Sequence, residues 1–233
     1  MANVAALLVL KNSPIFGTLP ADVLDALAAM ATNRGYEHGE LVFSEGDPGD
    51  LLLGVITGRI RIQASSSDGR SLNLNMIMPG EIIGEIAFLD GGPRTASGLA
   101  EGLITVFSIP QRPFFKLLRQ QPELAIHLMQ LVCQRVRWTS LQLADFAFLS
   151  PPARLANQLM QLRDKKRDDS PGGDATINIS QAELARFLGL SRQVVNGYLR
   201  EWQDQAALVL KRGKIHISDD QALRQAAGLP TSS

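Results

Sequence analysis

The segment from Tyr36 to Ile109 is a series of short β-prone runs that are separated by glycine turns. Turn signals recur about every 8 to 12 residues, which predicts an antiparallel β-sandwich or barrel-like roll rather than alternating strands and helices. The stretch RIRIQ alternates polar and apolar residues, as a half-buried strand does. In chain order the runs are LVFSEGDPGD, LLLGVITGRIRIQ, SLNLNMIMPGE and LITVFSIP.

Helical patterns lie on both sides of this segment. A first helix is predicted around LPADVLDALAAMA and another at RPFFKLLRQQ. Helical periodicity then continues with little interruption from Pro122, a typical first helical residue, to about Leu149. The predicted fold class is therefore α+β, with a β-roll followed by a long helix.

The long helix has two apolar faces. A helix with two faces to bury is expected to pack one against its own roll and the other against the same helix of a second copy, as a parallel homodimer. A single thick core stripe is the alternative. The smaller face contains Leu124, Leu128 and Leu131. The larger face has heptad spacing and contains Ala125, Met129, Val132, Val136, Thr139, Leu143 and Phe146.

Prolines mark a boundary after the long helix. Pro151 ends that helix, and Ser150 can cap the next one. This position is a predicted hinge between two domains. The stretch KKRDDSPGGDA, residues 165–175, is predicted to be a solvated loop.

The stretch ISQAELARFLGLSRQVVNGYLREWQ predicts a helix-turn-helix. Ser180 and Glu183 form a capping box, Gly189 supplies the turn, and Ser191 caps a second helix. That helix carries the apolar residues Val194, Val195, Leu199 and Trp202. An ordinary pair of core helices is the alternative, but polar residues are concentrated on the leading turn of the second helix.

In helix-turn-helix units this leading turn reaches base edges in the major groove. Arginine matches the paired acceptors of guanine, and glutamine or asparagine matches the donor and acceptor of adenine. The following stretch, LVLKRGKIHIS, predicts a β-hairpin with Gly213 at its tip and Arg212 and Lys214 on either side. These two basic side chains are expected to contact DNA phosphates, as the wing of a winged helix does. The residues assigned to DNA contact are Ser180, Gln181, Ser191, Arg192, Gln193, Asn196, Arg200, Gly213 and Lys214.

Composition limits the other classes of function. The chain has 233 residues and a net charge of zero, which suits a two-domain globular protein. Residues 1–150 carry 11 basic and 14 acidic side chains, and residues 151–233 carry 12 and 9, so the second part is mildly basic. No apolar run reaches membrane-span length, and the N-terminus lacks signal-peptide features, so a cytoplasmic location is expected. With one cysteine and three scattered histidines, no metal site is predicted.

The stretch IGEIAFLDGGPRTA places Glu85 and Arg94 in a glycine-rich apolar run. On one interpretation they are the two ends of a hairpin and form a weak surface ion pair. On the other they face a ligand.

The order of β-roll, GEIAFLDGGPRTA, long helix, GLSR and wing resembles the Crp/Fnr family of bacterial transcription regulators over nearly the whole chain. The resemblance implies a cyclic-nucleotide-binding roll over residues 1–121, a dimerisation helix over 122–149 and a winged helix-turn-helix over 150–233. It implies cyclic AMP as effector, inverted-repeat DNA and RNA polymerase as partners, and no enzymatic activity. The chain departs from the family pattern at Gln193, where an acidic residue is expected, and at Gly197, where an arginine is expected.

The resemblance also assigns the pocket. Arg94 would pair with the cyclic phosphate, and Glu85 would accept the ribose 2′-hydroxyl. Backbone N–H groups of Gly84, Ile86 and Ala87 would lie close to the ligand at a short helix start. Thr95 matches a small hydroxyl residue of the family, while Thr139 and the partner subunit's Ser140 would contact adenine.

Three alternatives remain open from the sequence. The same fold could respond to cyclic di-GMP or to no ligand. A cupin-like β-roll metalloenzyme would need clustered metal ligands, which the isolated histidines disfavour. A haem or iron–sulfur sensor of the same family is disfavoured by the single cysteine.

Overall fold

The computed structural model describes residues 3–66, 71–169, 176–211 and 213–229, apart from the side chains of residues 165–169. Its contacts divide the chain into two compact units, Met1–Thr139 and Ser140–Ser233. Within the described ranges, no helix combines the length and apolar character needed to cross a membrane.

The first unit is a β-roll flanked by helices. Its strands are all paired antiparallel, as the glycine-punctuated pattern predicts. The elements are α1 (Val4–Asn12), α2 (Ala21–Met30), β1 (Thr32–Tyr36), β2 (Leu41–Phe43), β3 (Leu51–Ser65), β4 (Ser71–Ile77), β5 (Ile82–Ile83), α3 (Glu85–Asp90), β6 (Ser97–Pro110), α4 (Gln111–Gln120) and the long helix α5 (Glu123–Phe148), which continues into the second unit.

The two longest strands organise the sheet. Strands β3 and β6 pair from Leu51 opposite Pro110 to Gln63 opposite Ser97, with register shifts around Thr57. The strand order is β1-β6-β3-β4, while β2 also pairs with β6 and β5 with β3. Strand β5 pairs with β3 at Leu53 and Gly54, which places the β5–α3 turn beside the start of β3.

Two apolar clusters hold this unit together. One fills the interior of the roll with β-branched side chains that alternate along the strands, among them Val55, Ile60, Ile62, Ile104 and Val106. The other packs α1, α2, α4 and the start of α5 against the outside of the sheet. The alternation predicted for RIRIQ is confirmed, since Ile60 and Ile62 are buried and the arginines beside them are not.

The two faces of α5 differ as the sequence predicts. Leu124, Leu128 and Leu131 are buried against the chain's own roll. The heptad face stays open in the single chain, where Val136 is 60% and Leu143 is 68% exposed. A single thick core stripe is therefore wrong.

The second unit has its own core and a small sheet in the order β7-β9-β8. Side chains from every helix of the helix-turn-helix and from the sheet meet in this core, with Trp202 at 1% exposure. Besides the end of α5, the elements are α6 (Pro151–Asp169), β7 (Ile177–Asn178), α7 (Gln181–Leu188), α8 (Arg192–Asp204), β8 (Leu208–Lys211), β9 (Lys214–Ile217) and α9 (Asp220–Ala226).

Several local predictions need correction. The helix predicted first is the second one, because α1 precedes it. The loop predicted over 165–175 is wrong in its first part, since α6 continues to Asp169, and residues 170–175 lie outside the described residues. Helix α5 begins at Glu123, one residue after Pro122.

Candidate ligand pocket and DNA-recognition surface

The β5–α3 turn gives the pocket its shape. Gly84 caps α3 with φ = 91°, a conformation that favours glycine. A Cβ at Gly84 would also lie 2.2 Å from Nη1 of Arg94. The missing side chain therefore lets the arginine pass directly over the turn.

Arg94 is buried at 5% exposure and held by backbone oxygens. Its Nη1 donates to Gly84 O at 3.0 Å and its Nη2 donates to Leu51 O at 2.7 Å. The guanidinium carbon lies 4.9 Å from the ring centre of Phe43. Its Nε is buried and has no hydrogen-bond partner among the described residues.

Burial lowers the pKa of the Arg94 guanidinium below its ordinary value, and the carboxylates of Asp50, Glu85 and Asp47 only partly offset this effect. An arginine remains charged even so. The neighbouring carboxylates therefore do not fully compensate the loss of hydration, and an additional anion would be favourable at this point.

Glu85, at 3% exposure, is the second buried charge of the pocket. Its Oε1 lies 3.3 Å from Nε of Arg135, which also donates from Nη2 to Ile82 O at 2.7 Å. Its Oε2 is buried and accepts no hydrogen bond from the part of the chain that the structure describes. The interpretation of Glu85 and Arg94 as a surface hairpin pair is therefore wrong, because both are buried and Glu85 pairs with Arg135.

These side chains face a cavity of about 160 Å³ inside the first unit. The cavity brings together seven of the predicted ligand residues, and Ser140, exposed at the next helix position after Thr139, does not line it. The predicted residues that line it are Gly84, Glu85, Ile86, Ala87, Arg94, Thr95 and Thr139.

Sequence reasoning missed two pocket residues on α5, Arg135 and Trp138. Arg135 lies one helical turn before Thr139, so the spacing places both on one face of the helix. That spacing could have identified Arg135. Trp138 lies next to Thr139 in sequence. The heptad pattern of α5 does not distinguish it from other residues at the edge of the heptad face.

The helix-turn-helix has the predicted caps. Ser180 Oγ accepts from Glu183 N at 3.1 Å, and Glu183 accepts from Ser180 N at 2.7 Å, so the capping box is confirmed. Gly189 ends α7 with φ = 63°. Ser191 Oγ accepts from Val194 N at 3.2 Å at the start of α8.

Arg192, Gln193 and Asn196 lie in the first half of α8, and Arg200 lies in its second half. Arg192, Gln193 and Arg200 are exposed, and Asn196 is partly buried. The predicted hairpin is confirmed as β8 and β9, with Gly213 at φ = 70° between them, while Arg212 lies outside the described residues.

One concave surface of this unit joins the start of α7, the start of α8 and the hairpin. Lys211, which sequence reasoning did not assign, lies there beside the predicted residues. The polar and basic side chains that line it belong to Ser180, Gln181, Arg192, Lys211 and Lys214, and Gly213 lines it with its backbone.

Two family models match the chain. A model described as a cyclic nucleotide-binding domain matches residues 33–121, and a Crp-like helix-turn-helix domain matches residues 153–226. The CRP-like cAMP-activated global transcriptional regulator of Mycobacterium tuberculosis is 30% identical over 220 residues, covering 94% of this chain and 98% of that protein. This chain belongs to the Crp/Fnr family of transcription regulators. It is a DNA-binding regulator with a cyclic nucleotide-binding domain and not an enzyme, so the cupin-like alternative is wrong.

Solved structures agree with the predicted fold class. The catabolite activator protein of Thermus thermophilus is 28% identical, with a TM-score of 0.53 over 94% of this chain and 100% of that chain. The c-di-GMP responsive global regulator of Xanthomonas campestris is 23% identical, with a TM-score of 0.73 over 85% of this chain and 99% of that chain, and shows the fold only.

Proposed function

We propose that this protein is a cytoplasmic, homodimeric transcription regulator that binds inverted-repeat DNA in response to cyclic AMP and contacts RNA polymerase. The observation that carries the ligand assignment is the pair of buried charged residues, Arg94 and Glu85, which line one cavity and each keep one polar atom without a partner among the described residues. Buried polar groups in native proteins nearly always have partners, so two such residues of opposite charge at one cavity support a polar ligand there.

The chemistry of the two groups matches a cyclic mononucleotide. Arg94 supplies the cation for one phosphate charge, and Glu85 Oε2 accepts from the ribose 2′-hydroxyl while Oε1 stays with Arg135. The backbone at Gly84, Ile86 and Ala87, together with Thr95, completes the phosphate end. Thr139, with the partner subunit's Ser140, contacts the base.

Cyclic AMP fits this set of groups better than cyclic di-GMP does. Cyclic di-GMP carries two phosphates and two guanines, whereas the described residues that line the cavity include one buried arginine that is not in an ion pair with Glu85. A relative at 30% identity is named as cAMP-activated, which supports the same choice.

The dimer assignment rests on the open heptad face of α5. Met129, Val136, Leu143 and Phe146 are each more than half exposed in the single chain. Exposed apolar side chains at heptad spacing are typical of a seam that a second helix covers. In this dimer each copy presents Arg192, Gln193 and Asn196 to one half-site, about one helical turn from the other.

The test is a titration of the purified full-length protein with cyclic AMP, cyclic GMP and cyclic di-GMP. Binding is measured by calorimetry and by tryptophan fluorescence. The chain has two tryptophans, and Trp202 is buried in the core of the second unit, so we expect Trp138 to report binding. A Trp138→Phe variant should keep the heat and lose the fluorescence change. Absence of heat with cyclic AMP at millimolar concentration would exclude the proposed effector.

A further inference from the structure

A hydrogen bond between two amide side chains joins the two helices of the helix-turn-helix. Nε2 of Gln181, the first residue of α7, donates to Oδ1 of Asn196 at 3.0 Å, one turn into α8. Both side chains are partly buried. They belong to the set assigned to DNA contact, so this bond affects how Asn196 reaches a base.

The bond is held by its surroundings. The capping box of Ser180 and Glu183 holds the start of α7, and Ser191 caps the start of α8. The helices pack through fully buried Leu184 and Val195. Because the backbone at both ends is held, the two amides meet without ordering a mobile segment.

The bond also determines which atoms of Asn196 remain available. A free asparagine contacts adenine with both ends of its amide, since Oδ1 accepts from N6 and Nδ2 donates to N7. Here Gln181 already donates to Oδ1, while Nδ2 has no partner within the described part of the chain. Oδ1 keeps a second lone pair but is turned toward Gln181, so the end of the amide that points away from Gln181 is the donor, with two N–H groups.

We propose that Gln181 is a positioning residue that turns the Nδ2 end of Asn196 toward DNA, so that the pair favours guanine instead of adenine. Guanine presents two adjacent acceptors, N7 and O6, to a donor in the major groove, whereas adenine presents one acceptor beside a donor. The inference rests on the proposed DNA interface and changes the base expected for Asn196.

The experiment selects binding sequences from a random DNA pool with the full-length protein and cyclic AMP. Gln181→Ala releases Oδ1, so the base contacted by Asn196 should change from guanine to adenine, with about a tenfold change in relative binding, at the low end of the value of a side-chain-to-base contact. Gln181→Glu can only accept hydrogen bonds, so Asn196 should turn Oδ1 outward and select a base with a donor, adenine or cytosine. Asn196→Ala should remove the preference at that base.

Gln225→Ala, at an exposed glutamine of α9, is the matched control and should select the wild-type sequence. Base preference is the measured quantity, because the added charge of Gln181→Glu lowers DNA affinity for every sequence. If Gln181→Ala and Gln181→Glu both keep the wild-type base, the inference is wrong although the DNA-binding function stands. If the wild-type protein selects no sequence, both fail.

Discussion

Arg94 and Glu85 show how a site can be marked by incomplete hydrogen bonding. Both are nearly inaccessible to solvent, and each retains one buried atom without a partner. Burial of an uncompensated charge costs free energy, and a protein retains such a group where a ligand completes the pairing. The pocket residues are therefore expected to contribute more to ligand affinity than to the stability of the fold.

Arg94→Leu should abolish detectable binding of cyclic AMP while the protein stays folded and dimeric. Removal of one partner of a buried charge pair typically costs about 2 to 5 kcal/mol of binding free energy, which raises the Kd at least about 30-fold. Calorimetry measures the affinity, and thermal unfolding checks the fold. Arg112→Leu, at an exposed arginine of α4, is the control and should bind normally. Unchanged affinity in Arg94→Leu would reject the site assignment.

Gly84 and Gly80 form a matched pair of glycines with φ of 91° and 90°. Alanine at either position has the same left-handed backbone strain, about 1 to 2 kcal/mol. A Cβ at Gly84 additionally meets Arg94 at 2.2 Å, whereas at Gly80 it meets no heavy atom within 4 Å.

Gly84→Ala should therefore lose at least as much stability as Gly80→Ala in denaturant unfolding, and only Gly84→Ala should weaken cyclic AMP binding strongly. Equal affinities in the two variants would show that the position of Arg94 over the turn does not matter for the ligand.

Helix α5 serves two packing functions along its length. Its buried leucines anchor it to the roll, its Arg135 and Trp138 face the pocket, and its heptad face is left open. A helix that packs on the ligand domain and carries a dimer seam can pass a ligand-dependent shift to both copies. The physical requirement is a two-state change that the ligand drives through its differential affinity.

Val136→Glu should convert the dimer to a monomer, because two carboxylates would meet in the apolar seam. We expect the dimer Kd to rise at least about 100-fold, measured by analytical ultracentrifugation. Gln134→Glu introduces the same side chain at an exposed position outside the seam and should leave the dimer intact. A dimeric Val136→Glu protein would place the interface elsewhere.

Over the full chain, we expect the two proposed sites to be thermodynamically linked. If cyclic AMP raises DNA affinity, the specific DNA must raise cyclic AMP affinity by the same factor, typically 5- to 150-fold for allosteric proteins. No path between the sites needs to be specified for this relation to hold. Equal fold-changes in the two affinities are therefore a test of regulation.

The expected outcome is a tighter cyclic AMP isotherm in the presence of the selected inverted repeat, equal in fold-change to the effect of cyclic AMP on DNA binding by fluorescence anisotropy. The Arg94→Leu protein is the control, and its DNA affinity should not respond to cyclic AMP. If DNA does not change the cyclic AMP affinity of the wild-type protein and cyclic AMP does not change its DNA affinity, the pocket does not regulate this DNA interface.

Features that depend on neighbours within one or two turns could be predicted from the sequence. The capping box at Ser180, the turn at Gly189 and the seam spacing of α5 are local, because caps and helix faces involve residues three or four positions apart. The antiparallel roll could also be predicted, because the glycine turns between successive strands are local signals. The pocket residues were assigned by family resemblance, and the seven that line one cavity are close neighbours in space.

Contacts between distant segments required the tertiary structure. Nothing local brings Arg135 to Glu85, or Gln181 to Asn196, because these pairs depend on how helices pack and on which rotamers that packing leaves available. Strand β7 and the early start of β6 at Ser97 were missed because strand pairing is decided across the sheet. Residue types and spacings thus determined which groups could serve each site, and long-range packing determined their partners and which of their atoms remain available for a ligand or a base.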